Sequence, residues 1–202
     1  MITDSLVAFV PIGGNLSLVG GAAAAIPSTS TIDLLGQGVG TAPQNIIGTG
    51  RTVFGTDLGV GGKRPELNVT IGTALAAAAG TTLKVALQAA QDTGLAGGFQ
   101  PGTWIDIDSE DGIGLANVAN PLSTGIAGVA GAVIFRSPWI PTFPPGFMPR
   151  YLRLLFTPQT VSAGVTTSPG GNFTAGTIAS ALVTMVRDDW AAKFANKNFS
   201  VA

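Results

Sequence analysis

A chain of 202 residues is long enough to bury most of its apolar surface in one core, and its composition excludes much of the commonest site chemistry. It holds no cysteine and no histidine, which removes disulfides, thiolate metal sites, cysteine nucleophiles and the side chain most used for acid–base work near neutral pH. Charged residues are 10% of the chain and its net charge is -1, against roughly 25% charged residues in an average domain, which points to surface covered by partner subunits.

No run of Lys or Arg marks a nucleic-acid footprint. The opening residues make a poor export signal, because no basic residue precedes Leu6 and Asp4 does. The longest nearly apolar stretch, residues 125–135, is far shorter than a membrane-spanning helix, so a soluble protein is expected.

Glycine and proline punctuate segments rich in Val, Ile, Leu and Thr, which is the spacing of an all-β chain. In chain order, a short strand is predicted at 15–19 and another at 31–35. Residues 36–62 are crowded with glycine and read as a long surface loop or arm. The clearest strand is 66–73, where Leu67, Val69 and Ile71 alternate with Glu66, Asn68 and Thr70. Residues 82–90 alternate as a strand, although Leu83 and Leu87 also fit an Ala-rich helix behind a Thr81 cap; the strand is preferred. Strands follow at 103–108, with Ile105 and Ile107 inward, and at 132–136.

Residues 137–149 carry five prolines beside Trp139, Phe143, Phe147 and Met148, and read as an ordered apolar loop. Strands at 151–157 and 177–186 complete about eight, the second in the middle of a sheet. The expected fold is an antiparallel β-sandwich of jelly-roll type over residues 1–187, followed by a tail at 188–202. In that tail Asp188 can cap a short helix that sets Trp190 and Phe194 on one face, with Phe199 beyond.

The one carboxylate cluster is Asp106, Asp108, Glu110 and Asp111, followed by Gly112. Alternate oxygen ligands could hold a hard cation, but the spacing fits an EF-hand poorly, and neighbours on one strand edge do not face each other across a substrate. A solvated strand end is preferred, with no cofactor, no metal and no catalytic residue expected. Gly13-Gly14 and the glycines of 36–40 lack the Lys-Ser/Thr of a phosphate loop. Four Asn-X-Ser/Thr triplets, at Asn15, Asn68, Asn172 and Asn198, carry no weight without an export signal. Arg150, Arg153 and Arg187 belong to no basic run and read as surface charges, local ion pairs or contacts to an acidic partner. Trp139, Phe143, Phe147, Met148, Trp190, Phe194 and Phe199 are the candidate partner interface, since such side chains are enriched at interface centres. The tail could equally cover an open sheet face of its own domain.

Five stretches carry a resemblance. They are Ser30-Thr31-Ile32-Asp33-Leu34, Glu66-Leu67-Asn68-Val69-Thr70-Ile71, Thr82-Leu83-Lys84-Val85-Ala86-Leu87-Gln88, Pro149-Arg150-Tyr151-Leu152-Arg153-Leu154, and Ala175-Gly176-Thr177-Ile178-Ala179-Ser180-Ala181-Leu182-Val183. In this order they resemble the jelly-roll capsid cement, or decoration, proteins of tailed bacteriophages of the Bordetella-phage and epsilon-type short-tailed groups. The resemblance spans about residues 30–186 and departs from the family in the Gly-rich insertion and the aromatic tail. It implies a non-enzymatic virion protein, made in the host cytoplasm, that binds outside a shell of HK97-like major capsid proteins. It further implies binding as a homodimer, with a trimer possible, clamping neighbouring capsomers without nucleic acid or membrane. The alternatives are another phage structural module, such as a tail or head fibre, and a carbohydrate-binding or hydrolytic β-sandwich using Trp104, Trp139 and Asp106.

Overall fold

The computed structural model describes residues 8–20, 24–33, 37–41, 52–54, 66–78, 80–93, 100–115, 127–138, 145–147, 149–162 and 165–184. These residues form strands and connections, with no helix among them. The strands are β1 (Ala8–Val10), β2 (Leu16–Ser17), β3 (Ile26–Pro27), β4 (Ile32–Asp33), β5 (Gln37–Thr41), β6 (Thr52–Phe54) and β7 (Glu66–Ala77). They continue with β8 (Thr81–Asp92), β9 (Pro101–Leu115), β10 (Ala127–Gly128), β11 (Val133–Pro138), β12 (Tyr151–Ser162), β13 (Val165–Thr167) and β14 (Phe173–Thr184).

Two sheets pack face to face as a β-sandwich. The first runs β1-β14-β7-β11, with β2 also on β14. The second runs β10-β9-β8-β12-β13, with β3 and β4 paired to β12 beside β13. All pairings are antiparallel except that of β10 with β9. β14 lies between β1 and β7, as expected of an interior strand.

The alternation read from the sequence sets the inner faces. Leu67, Val69 and Ile71 of β7 are fully buried while Asn68 and Thr70 are half-buried on the outside. In β12 Leu152, Leu154 and Phe156 point inward, and on the neighbouring β8 Leu83, Val85, Leu87 and Ala89 lie beside them on the same inner face. Phe9, Ile134, Phe173 and Ile178 close the core from the first sheet. Each large apolar side chain so buried contributes about 1.5–3 kcal/mol before the entropic cost of ordering it. Register between β7 and β14 shifts at four places, bulges that bend the sheet around this core. Gly176 makes one of these bends possible: its φ is 145, and a Cβ there would lie 2.8 Å from Leu75 Cδ2.

Residues 82–90 are strand, not helix, because β8 is zipped along both edges, to β12 from Tyr151↔Ala90 through Thr160↔Thr81 and to β9 from Leu83↔Ile113 through Asp92↔Pro101. Tertiary pairing of this length overrides alanine's helix propensity. The expectation of an irregular arm over 36–62 needs correction. Its described residues form a two-stranded ribbon, β5 with β6, from Gln37↔Phe54 to Thr41↔Thr52. Segments of five and three residues are too short to register as alternation, yet long enough to pair. The prediction of a tail helix at 188–202 falls outside the described residues.

Candidate interaction surface

In a two-layer sandwich the outward residues of a sheet normally meet water. On β8 they do not. Thr82, Ala86, Gln88 and Ala90 are buried although they face away from the core, and the same holds for Tyr151, Thr157 and Gln159 of β12. Small alanines in the central column sit among long side chains on the flanking positions.

The longest network on this face starts at Gln88. Its amide nitrogen donates to Asp106 Oδ1 at 2.7 Å, and its amide oxygen accepts from Arg153 Nε at 2.8 Å. Asp106 Oδ2 accepts from Lys84 Nζ at 3.0 Å. The guanidinium of Arg153 lies 4.2 Å from the centroid of the Trp104 ring, a cation–π stack. Lys84, Asp106, Gln88, Arg153 and Trp104 therefore form one chain of contacts across β8, β9 and β12. It follows from register, which sets Gln88 opposite both Arg153 and Asp106. Partial burial raises the affinity of Asp106 for its proton, but hydrogen bonds from Gln88 and Lys84 and the ammonium charge outweigh it, so its carboxyl titrates below the ordinary range. Burial lowers the pKa of Arg153, whose charge the surroundings solvate poorly.

Farther along the same face Thr82 Oγ1 donates to Gln159 Oε1 at 3.4 Å, and Gln159 Nε2 donates to Asp111 Oδ1 at 2.9 Å. At the opposite end Arg150 ties three segments together. Its Nε and Nη2 grip Asp33 of β4 at 3.1 and 3.0 Å, while Nη1 meets Asp92 of β8 at 2.7 Å. Its Cζ lies 5.2 Å from the Tyr151 ring centroid. The Tyr151 hydroxyl is buried and has no hydrogen-bond partner among the described residues.

The structure redistributes the residues singled out by sequence. Of the acidic cluster, Asp106 is fixed by Gln88 and Lys84, Asp111 accepts from Gln159, and Asp108 has a contact of its own. Among the described residues no three acidic side chains converge as metal ligands. Ile107 packs against the core as expected, and a register shift falls between Leu87↔Asp108 and Gln88↔Asp106. Of the aromatic candidates Phe147 is half-buried against its own domain's core. Trp139, Phe143, Met148, Trp190, Phe194 and Phe199 lie outside the described residues, as does Arg187.

Gln88 and Lys84 were missed, since an isolated Gln and Lys on a strand carry no motif. Arg150 and Arg153 were noted only as lone charges, and nothing but strand register brings their partners together. A fixed carboxylate held ionised by two donors is not poised to donate a proton at neutral pH. Trp104, with a guanidinium on its ring, does not offer that face to a sugar. What the arrangement offers is a hydrogen-bonded panel that presents Trp104 and Arg153 side by side, two of the side-chain types enriched at the centres of protein contact sites.

No protein-family model matches the chain, and a search of curated proteins finds no significant match.

Proposed function

We propose that this chain is a structural virion protein, a capsid cement protein of jelly-roll fold that binds the outer surface of a tailed-phage shell and strengthens contacts between major capsid proteins. The observation that supports this reading is the nesting of strand pairs. Taking the eight body strands as β1, β3/β4, β7, β8, β9, β11, β12 and β14, the first pairs with the eighth, the second with the seventh, the third with the sixth and the fourth with the fifth. A long antiparallel hairpin rolled into two sheets has this order, which is the jelly-roll arrangement used by many capsid and lectin domains.

A fold does not by itself specify a function. Three further features favour a structural role: the low charge, the Trp104–Arg153 stack on the outer face and the sequence resemblance to cement proteins. Asp106 in its ion pair and Trp104 under Arg153 give the sugar-binding and hydrolytic alternatives little support. On this reading the major capsid protein is the partner, with a second copy of the chain completing a homodimer, and the virion exterior is the location.

The test is binding of the purified protein to phage shells that lack it, by co-sedimentation, with shell disruption followed on heating. Saturable binding that raises the temperature of disruption is expected. Absence of binding to such shells, with the protein folded, would refute the cement role.

A further inference from the structure

We propose that Arg153 and Trp104 form an anchor for the carboxylate of an Asp or Glu side chain on a partner protein. The identification of that partner as the major capsid protein rests on the cement reading; the anchor's chemistry does not.

The two half-buried arginines at the ends of Pro149-Arg150-Tyr151-Leu152-Arg153 make the contrast. Arg150 is saturated by two carboxylates of its own chain, Asp33 and Asp92. Arg153 has none. Its one hydrogen-bond acceptor among the described residues is the neutral amide oxygen of Gln88, reached through Nε. Both Nη groups, four N–H donors in a fixed fork, have no acceptor among the described residues, while the guanidinium is held over the Trp104 ring. A partly desolvated cation without a counter-ion is costly, and an incoming carboxylate offsets that cost with two parallel hydrogen bonds.

Neighbouring donors reinforce the argument. Among the described residues the Trp104 indole N–H has no acceptor, and neither has the buried hydroxyl of Tyr151, which register places in the same transverse row, with Ala90 between the two. Stacking on Trp104 and the bond to Gln88 fix the rotamer in advance, so little side-chain entropy is lost on binding.

Charge decides the class of partner. Lys84 on the same face is already neutralised by Asp106, which leaves Arg153 as the open positive charge among the described residues of the Gln88 network. Nucleic acid binds through many phosphates at once, and a chain with 10 Lys and Arg against 11 Asp and Glu has no track of cations to meet them. A single Arg stacked on a Trp beside the buried Ala86 and Ala90 of the next strand matches a protein–protein hot spot.

The experiment compares the full-length protein with Arg153→Gln and Arg153→Lys in binding to shells that lack it, across a salt series. In parallel, the Trp104 indole and Arg153 Nε N–H resonances are followed while sodium acetate or sodium phosphate is added at constant ionic strength. Circular dichroism and thermal unfolding establish that each variant is folded. Arg153→Gln is expected to weaken shell binding by roughly tenfold or more and to flatten its salt dependence, with Arg153→Lys in between. Acetate is expected to move both resonances saturably in the wild type and not the indole in Arg153→Gln.

Equal shell binding by folded Arg153→Gln would overturn the anchor and leave the cement reading standing. A wild-type protein that binds no shell but shows the acetate response would overturn the cement reading and leave the anchor. Neither shell binding nor an acetate response overturns both. A saturable response to phosphate alone would overturn the carboxylate assignment in favour of a phosphate-bearing ligand.

Discussion

Gln88→Ala removes the link that joins three strands on the outer face. Gln88 is 7% exposed and makes two charge-assisted hydrogen bonds, to Asp106 Oδ1 at 2.7 Å and from Arg153 Nε at 2.8 Å. Such bonds contribute about 1.5–3 kcal/mol each when well buried. Asp106 is 44% exposed on its side chain, so water replaces the lost donor and that bond counts for only about 1 kcal/mol. Arg153 loses its one acceptor among the described residues, about 1–2 kcal/mol, and the missing methylene adds about 0.8 kcal/mol. The total is about 3 kcal/mol, or a fall of roughly 6–12 °C in Tm for a chain of this size. Urea unfolding at pH 7 is the assay, with the m-value required to match the wild type so that the midpoint shift reports native-state stability. A loss below about 1 kcal/mol with unchanged m would mean that Gln88 does not bridge Asp106 and Arg153, and the outer-face network as described would fall.

The neighbouring residue points the other way and gives a contrasting result. Leu87→Ala empties a fully buried site between Leu154 and the first sheet, with an expected cost of about 3–4 kcal/mol by the same unfolding assay and no change in the Trp104–Arg153 contact. The third prediction concerns pH. The Asp106 carboxyl titrates below its ordinary value of 3.8 in the folded protein, so its stabilising effect is complete above that value and is lost as pH falls through the lower folded one. The stability difference between wild type and Asp106→Asn should be constant from neutrality to about pH 5 and shrink toward pH 2. A difference that grew on acidification would contradict the Lys84–Asp106–Gln88 arrangement.

The body of the sandwich was legible in the sequence because one wet face and one dry face impose period two. Leu67, Val69 and Ile71 in β7 and Leu152, Leu154 and Phe156 in β12 declare it directly. β8 was harder to read, since it is buried on both faces and the alanines at 86 and 90 interrupt the polar half of the pattern that Lys84 and Gln88 carry. The ribbon of β5 and β6 was illegible because Gly-rich segments carry almost no facing information. The outer-face network was illegible for a different reason. Lys84, Gln88, Asp106 and Arg153 span 70 positions in the chain, and only the pairing of β8 with β9 and β12 puts them on one face, with Gln88, Asp106 and Arg153 in a single row. Attention to aromatic residues found Trp104 but could not supply Arg153 as its neighbour.

Nested pairing also fixes an order of events in time. β8 and β9 are close in the sequence and can zip as soon as both exist, whereas Ala8 of β1 must wait for Leu182 of β14. Bringing such distant ends together is entropically cheaper once the inner pairs have shortened the effective loop, so the sandwich closes from its innermost hairpin outward. During synthesis β1 and one edge of β7 stay without their shared neighbour until β14, the last of the described strands, has left the ribosome. Throughout that interval two strand edges stand open to pairing with other copies, and the crowding of nascent chains sets how many reach the folded state.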